Sequence, residues 1–114
     1  LFRSSDLIYM SDEGLDMRYS RPGYYGHGIY FADNAKYSHT YARNLGDKFQ
    51  MFVVAVLVGN AIRLQAHDQT LRMPPLLPNS QTERYDSVMN GDGTHTIIYG
   101  NSRQYPAFLI SYKL

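Results

Sequence analysis

Apolar residues along this chain fall into short runs separated by glycine- and proline-rich segments, a pattern typical of a fold built mainly from strands. Bulky and β-branched side chains fill Phe49–Val58, which predicts a strand buried on both faces. A Gly-Asn pair then predicts a bend, and Ala61–Leu64 predicts that the strand resumes beyond it. Gly28–Ala32 and Tyr85–Val88 predict two further short strands.

The last third of the chain carries the clearest turn signal. Asn90–Gly93 reads Asn-Gly-Asp-Gly, which favours a tight turn. On either side of a later loop, Thr94–Tyr99 and Phe108–Lys113 alternate apolar and polar positions, so we expect these two segments to pair as antiparallel strands. Ala66–Gln81 is polar and contains three prolines, which predicts an extended surface connection.

One segment predicts a helix. Asp33 or Asn34 can cap its N-terminus, and small residues at helical spacing extend the pattern to about Arg43. The preceding segment, Asp12–Gly28, contains glycine too often for a regular element and predicts a long loop of the kind that binds ligands in small domains. The pattern as a whole predicts an α+β domain dominated by antiparallel strands, with one main helix.

Composition narrows the class of protein. The chain has 114 residues, of which 44% are hydrophobic and 18% charged, which predicts a single compact domain. A net charge of +1 argues against a domain that binds duplex DNA through its phosphates. Cysteine is absent, which excludes disulfides and thiolate metal sites. The longest apolar run is too short for a membrane helix. The first residues lack the basic and then apolar pattern of a leader and do not begin with methionine, so we expect a fragment of a longer protein.

Three side chains around the predicted helix could form a binding slot. Tyr30 lies on the predicted strand just before the helix, while Ser38 and Tyr41 are three positions apart and share a helix face. Two phenol rings and a hydroxyl suit a flat ring that carries an amide. Gly26 and Gly28 would let the main chain approach such a ligand closely. The alternative is that both tyrosines are ordinary half-buried packing residues.

Five sequence blocks, in the same order along the chain, resemble the catalytic domain of the poly(ADP-ribose) polymerase family. Within that family, the blocks are most similar to the mono-ADP-ribosylating branch. They are Glu13–Ser20, Gly28–Ala32 with Ser38 and Tyr41 at the family spacing, Phe52–Gly59, Arg84–Val88 and Pro106–Tyr112. The resemblance implies a diphtheria-toxin-like ADP-ribosyltransferase fold of two packed sheets with one main helix. Residues 1–114 would form a single partial catalytic domain that is incomplete at its N-terminus, with a donor loop at about residues 16–28.

The same resemblance implies transfer of ADP-ribose from NAD to a protein acceptor, with release of nicotinamide. Tyr30 and Tyr41 would enclose the nicotinamide ring, and the Ser38 hydroxyl would hold its carboxamide. Residues 19–25 would cover the pyrophosphate and adenosine. The other NAD-binding candidates are Gly28, Arg18, Tyr25 and His27, the last of which could equally be a solvated loop residue. We expect no metal, no contact with duplex nucleic acid or membrane, and an intracellular protein, nuclear or cytoplasmic.

Two positions depart from the family pattern. Either Arg3 stands where the family has an NAD-binding histidine, or that histidine belongs to sequence upstream of Leu1; His95 stands at the position of the catalytic glutamate. A neutral histidine accepts one hydrogen bond but supplies no fixed negative charge beside the developing ribosyl cation. The sequence therefore favours single transfers over polymer synthesis. The alternative is a catalytically inactive pseudoenzyme that keeps the fold and binds NAD, an ADP-ribose-type ligand or another protein.

Overall fold

A computed structural model describes residues 2–4, 10–11, 14–17, 22–44 and 46–114. Strands dominate this part of the chain, which confirms the α+β class. The strands are β1 Phe2–Ser4, β2 Met10–Ser11, β3 Gly14–Leu15, β4 Pro22–Gly23, β5 Gly26–His27, β6 Ile29–Ala32, β7 Arg43–Asn44, β8 Phe49–Val56, β9 Ala61–Leu64, β10 Ser87–Asn90, β11 His95–Ile98 and β12 Gln104–Tyr112. The described helical elements are α1, Ala35–His39, and a 3₁₀ turn at Asn101–Arg103.

The main sheet has eight strands in the order β12-β8-β1-β6-β11-β10-β9, with β7 also paired to β8. Neighbours are antiparallel except β9 and β10, which run parallel. β1 pairs with both β6 and β8 and so joins the two halves of this eight-stranded sheet. Two small hairpins, β2–β3 and β4–β5, lie beside this sheet.

The expected pairing between the last two strands is wrong. β11 pairs with β6 and β10, and β12 pairs with β8. Burial explains the difference, because Thr96, Ile97 and Ile98 are all buried and a strand buried on both faces belongs in the interior of a sheet. β12 occupies an edge, where Phe108 and Leu109 remain exposed.

Helix α1 starts as predicted but ends early. Asn34 caps it, because its side-chain oxygen accepts a hydrogen bond from the Lys36 amide at 2.8 Å. The helix ends at His39, not at about Arg43, because Arg43 and the next residue pair with β8 as strand β7. Pairing at the sheet edge therefore replaces the last helical turn that the sequence pattern predicts.

Side chains of β6 alternate between two cores, as the two-residue period of a strand requires. Ile29 and Phe31 belong to a cluster on one face. Tyr30 packs on the other face, against a cluster that contains Ile97, its register partner on β11. The remaining buried members of the first cluster are Leu15, Phe52, Val54 and Ile98, and those of the second are Tyr25 and Val88.

The bend after β8 is held by a polar network. Gly59 has a φ of +60° and lies against Asp86, whose carboxylate accepts hydrogen bonds from the Asn60 amide at 2.8 Å and from the Arg103 guanidinium at 2.9 Å. The buried Ser87 hydroxyl donates to the Val58 carbonyl at 2.8 Å. Asp86, just before β10, and Ser87, its first residue, therefore fix the path of the chain between β8 and β9.

Candidate active site

The candidate site forms where strand β6 leads into helix α1. In the register between β6 and β11, Tyr30 pairs with Ile97 and Ala32 pairs with His95. The Asp33 amide then donates to the Thr94 carbonyl at 3.1 Å, so the start of the helix is tied to the start of β11. Sheet pairing thereby brings the predicted strand–helix block next to His95, which lies more than fifty positions away along the chain.

The Tyr30 phenol is held by the β4–β5 hairpin. Its hydroxyl donates to the Gly26 carbonyl at 2.7 Å and accepts from the Tyr25 amide at 3.0 Å. Burial raises the pKa of the Tyr30 phenol. Gly23 lies directly on the ring, since a Cβ there would be only 2.7 Å from the ring carbon that bears the hydroxyl. The hairpin therefore covers one side of Tyr30 and fixes its orientation.

Ser38 and Tyr41 have contrasting surroundings. Ser38 is buried on α1, whereas Tyr41 is 62% exposed in the turn that follows the helix. The Tyr41 amide donates to the Ser38 carbonyl at 3.0 Å, which links the two positions through the backbone. A nicotinamide slot between Tyr30 and Tyr41, with Ser38 beside it, stays a prediction.

Tyr37 was not singled out from the sequence. Its ring lies 4.4 Å from the His95 ring, centroid to centroid, and 5.7 Å from the Tyr41 ring. A hydrogen bond from the Tyr37 phenol to Tyr41 raises the pKa of Tyr37. Tyr37 thus joins His95 to a predicted ligand-binding ring. Its position three residues after the capping Asn34 places it near the start of the helix, but nothing in the sequence shows that β11 lies beside it.

His95 is held by Asn90 from the preceding strand. The Asn90 side-chain oxygen accepts from the His95 main-chain amide at 2.8 Å, and the Asn90 side-chain nitrogen lies 2.8 Å from Nδ1 of the imidazole. The tight turn predicted at Asn90–Gly93 makes this possible, because it returns the chain so that the two residues face each other. His95 is therefore fixed in position on the same side of β11 as the start of α1.

The β4–β5 hairpin is also tied to the connection after β9. The Asp68 amide donates to the Tyr24 carbonyl at 2.9 Å, and the His27 amide donates to the Leu71 carbonyl at 2.8 Å. The exposed Tyr24 ring stacks on His67 with 4.3 Å between ring centres and 13° between planes. This segment, predicted only as a polar connection, forms one wall beside the hairpin.

Other predicted NAD-binding residues have clear structural surroundings. Tyr25 is buried, and its phenol donates to the Leu64 carbonyl at 3.3 Å. Gly28 is packed against β11, since a Cβ there would lie 2.4 Å from a methyl carbon of Ile97. His27 is half-buried on β5. Roles for these three residues in binding NAD remain predictions.

The structure describes little of the two arginines that were predicted to bind NAD. Arg3 pairs with Phe52 between β1 and β8, and its side chain lies outside what the structure describes. Arg18 lies outside the described residues.

Across the described part of the chain there is no group of three or more His, Cys, Asp or Glu side chains that could hold a metal ion. Within those same residues, no helix is long and apolar enough to cross a bilayer.

Comparison with known proteins identifies the family. Residues 12–99 match the poly(ADP-ribose) polymerase catalytic domain. The chain belongs to this family. It is 38% identical over 114 residues to a probable poly(ADP-ribose) polymerase of Dictyostelium discoideum, a match that covers 94% of the chain and 30% of that protein.

The protein mono-ADP-ribosyltransferase PARP12 is also similar. Identity is 34% over 91 residues for the Mus musculus protein and 34% over 90 residues for the Homo sapiens protein. These matches cover 78% and 77% of the chain but 12% of each relative. The chain therefore spans a minor part of the length of these curated poly(ADP-ribose) polymerase family proteins, and its match with the family's catalytic domain confirms the resemblance found in the sequence.

Proposed function

We propose that this chain is the catalytic domain of a NAD-dependent protein mono-ADP-ribosyltransferase. The observation that carries the proposal is the position of the β6–α1 block. This block lies within the residues that match the family's catalytic domain, and the pairing of β6 with β11 brings it beside His95. Residues 1–114 would act as one catalytic unit, with residues 16–28 as its donor loop. The described hairpin within that loop is held against Tyr30.

In the proposed reaction the bond between ribose C1′ and the nicotinamide nitrogen breaks, and nicotinamide leaves with the bonding electron pair. A side-chain nucleophile of the acceptor protein attacks C1′ and loses its proton. Because nicotinamide leaves from a donor that already carries positive charge, the protein's contribution is positioning and electrostatic stabilisation. NAD is the co-substrate, and no step requires a metal.

Three side chains would hold the nicotinamide end of NAD. Tyr30 has a fixed ring, because its hydroxyl bonds the hairpin backbone on both sides. Ser38 is buried on the helix and would pair with the carboxamide, and Tyr41 would cover the ring from the turn after the helix. Rigid aromatic rings suit this role because they offer contact area at a small cost in conformational entropy.

Single transfer is favoured over polymer synthesis by the residue on β11. A histidine at position 95 lacks the fixed carboxylate that a polymer-forming member uses to activate the next ribose hydroxyl. Two of the similar proteins carry the name mono-ADP-ribosyltransferase, which agrees with this reading. The proposed acceptor is a protein side chain, and the proposed product carries one ADP-ribose unit.

Incubation of the protein with labelled NAD and a mixture of acceptor proteins tests the proposal. We expect label on protein, release of nicotinamide, and products that carry single units when they are resolved by mass spectrometry. Tyr41→Ala should abolish nicotinamide binding and transfer. Tyr105→Ala is its matched control, since Tyr105 is 70% exposed on the edge strand β12, and it should leave both unchanged.

A second pair of variants tests the buried hydroxyl. Ser38→Ala should weaken nicotinamide binding by about tenfold, the effect of one lost hydrogen bond to a bound ligand. Ser87→Ala removes another buried hydroxyl that bonds a carbonyl, and it should change stability but not affinity. Nicotinamide binding without transfer would favour the pseudoenzyme, and chains of ADP-ribose would contradict single transfer.

A further inference from the structure

Asn90, on the strand before His95, determines which atom of the His95 ring carries the proton. The Asn90 side-chain oxygen must be the atom that faces the His95 main chain, because a main-chain N–H can only donate and the separation is 2.8 Å. The side-chain nitrogen of Asn90 therefore faces Nδ1 of the ring at 2.8 Å. An amide nitrogen only donates, so Nδ1 must be the acceptor and the proton of the neutral ring must sit on Nε2.

The second hydrogen of the Asn90 amide is also assigned. The side-chain nitrogen lies 3.0 Å from the Thr94 hydroxyl oxygen. That hydroxyl donates to the Asp92 carboxylate at 2.7 Å, so its oxygen is free to accept from Asn90. The hydrogen bond from Thr94 also lowers the pKa of Asp92. The lowered pKa keeps the Asp92 carboxylate ionised, so it remains an acceptor for the Thr94 hydroxyl.

Four polar groups of the turn thus form a hydrogen-bond relay, in which the Asn90 amide nitrogen donates both to Nδ1 of His95 and to the Thr94 hydroxyl, and that hydroxyl donates to Asp92. Every donor in this relay meets an acceptor only when Nδ1 is unprotonated. A proton on Nδ1 would set two donors against each other at 2.8 Å. The Tyr37 ring packs against the imidazole, with 4.4 Å between centroids, and so limits its rotation.

We propose that Asn90 is a positioning residue that holds His95 as a neutral hydrogen-bond donor through Nε2–H. On this basis His95 does not accept the proton of the incoming acceptor side chain, because its one lone pair is used by Asn90. Its Nε2–H instead donates to an oxygen of the bound NAD or of the acceptor. This functional half rests on the proposed transferase activity, whereas the assignment of the proton rests on the geometry of the turn alone.

Nitrogen-15 NMR of the histidine side chains tests the proton assignment without any ligand. The spectrum is recorded at a pH well above about 6.5, the ordinary pKa of histidine, because a neutral imidazole carries a single ring proton. We expect at least a fivefold excess of the Nε2–H form for His95, about the ratio that one ordinary hydrogen bond sets. The ratio of the two neutral forms of His67, whose ring stacks on Tyr24, is the internal reference for the ratio measured for His95. A mixed or Nδ1–H signal for His95 in the unsubstituted protein would overturn the proposal.

Asn90→Asp sharpens the test because it keeps the shape of the side chain and the acceptor for the His95 main chain. The atom that faces Nδ1 becomes an oxygen, so we expect the proton to move to Nδ1. Thr94→Val removes one link of the relay but leaves both Asn90–His95 contacts, and it should leave the His95 signal unchanged. An unchanged signal in Asn90→Asp would contradict the proposal, as would a moved proton in Thr94→Val.

Transfer assays then separate this inference from the proposed function. Asn90→Asp should lower kcat for transfer about tenfold with little change in KM for NAD, because the Nε2–H donor is lost while the nicotinamide-binding residues are intact. If the proton moves in Asn90→Asp but transfer is unchanged, the proposed role of the His95 Nε2–H as a donor to NAD or to the acceptor is wrong. Absence of transfer in the unsubstituted protein would contradict the proposed function but not the proton assignment.

Discussion

The phenol of Tyr99 donates a hydrogen bond to the main-chain carbonyl of Tyr25, with 2.6 Å between the two oxygens. Burial strongly raises the pKa of Tyr99, so this phenol stays a donor at any ordinary pH. The bond links the end of β11 to the turn of the β4–β5 hairpin across 74 positions of sequence. The hairpin that covers Tyr30 is therefore anchored to the sheet by a side chain as well as by its backbone contacts.

Tyr99→Phe tests this anchor. The variant keeps the ring but leaves the Tyr25 carbonyl without its donor, so we expect a loss of about 1–3 kcal/mol in the free energy of unfolding. Hydrogen exchange at the His27 amide, which bonds the Leu71 carbonyl, should become faster as the hairpin loosens. Tyr105→Phe on the exposed edge strand is the control and should change neither measurement. Unchanged exchange at His27 in Tyr99→Phe would show that the hairpin does not depend on this bond.

Gly59→Ala tests the bend that leads from β8 to β9. A Cβ at this position would lie 2.3 Å from the Asp86 carboxylate, and the backbone has a φ of +60°. Gly46→Ala is the matched control, because Gly46 has a φ of +90° but open space around the new Cβ. Both substitutions should lower the free energy of unfolding by about 1–2 kcal/mol, because a residue with a Cβ is strained at a positive φ. Urea denaturation should show a larger loss for Gly59→Ala, since only this variant also displaces Asp86 from Arg103 and Asn60. Equal losses would mean that Asp86 can move without cost.

The pKa of Asp92 should respond to removal of the Thr94 hydroxyl. The hydrogen bond from that hydroxyl is the main cause of the lowered pKa, with the Thr94 amide second. Thr94→Val should therefore raise the pKa of Asp92 towards its ordinary value of 3.8. The same motif at Asp68 and Thr70 is an internal control, and the pKa of Asp68 should stay low. NMR titration of the side-chain carboxyl carbons measures both groups.

The sign of the accompanying change in stability follows from the direction of the shift. A pKa lowered in the folded state stabilises the fold above the unfolded-state pKa, and this contribution is lost as the pH falls through the folded-state value. The free energy of unfolding should therefore fall less steeply below about pH 4 in Thr94→Val than in the unsubstituted protein. A steeper fall in the variant would contradict the assignment of Thr94 as the donor.

Tyr37→Phe tests the residue that the sequence did not reveal. The variant keeps the ring against His95 and removes the phenol that interacts with Tyr41. Because Tyr41 would lose this polar neighbour, we expect nicotinamide to bind about two- to tenfold more weakly, a change of the size of one net hydrogen bond. Isothermal titration measures the affinity, with Tyr105→Phe on the exposed edge strand as a control for loss of a phenol. Equal affinities for Tyr37→Phe and the unsubstituted protein would exclude a role for Tyr37 in holding Tyr41.

Local patterns predicted the individual elements well where neighbouring residues alone decide them. The bulky run at Phe49–Val56 forms β8, the cap residue Asn34 begins α1, and the glycine-rich turn after β10 joins it to β11. The helix end was wrong because pairing of Arg43 with β8 overrides helix propensity, and propensity is a weak effect beside sheet pairing. The pairing of Thr94–Tyr99 was wrong for a related reason, since alternation shows that a segment is a strand but not which strand lies beside it.

What the sequence determined by itself is the family, the strand-rich class and the identity of Tyr30, Ser38 and Tyr41 as candidate ligands for a flat ring. The class and the candidate residues follow from residue types at short spacing, and the family follows from the order of five short blocks along the chain. Only the tertiary structure decided that Tyr37 contacts His95 and that Asn90 orients the His95 ring. Such contacts depend on strand register and on the direction of single hydrogen bonds, and both arise only when distant segments pack together.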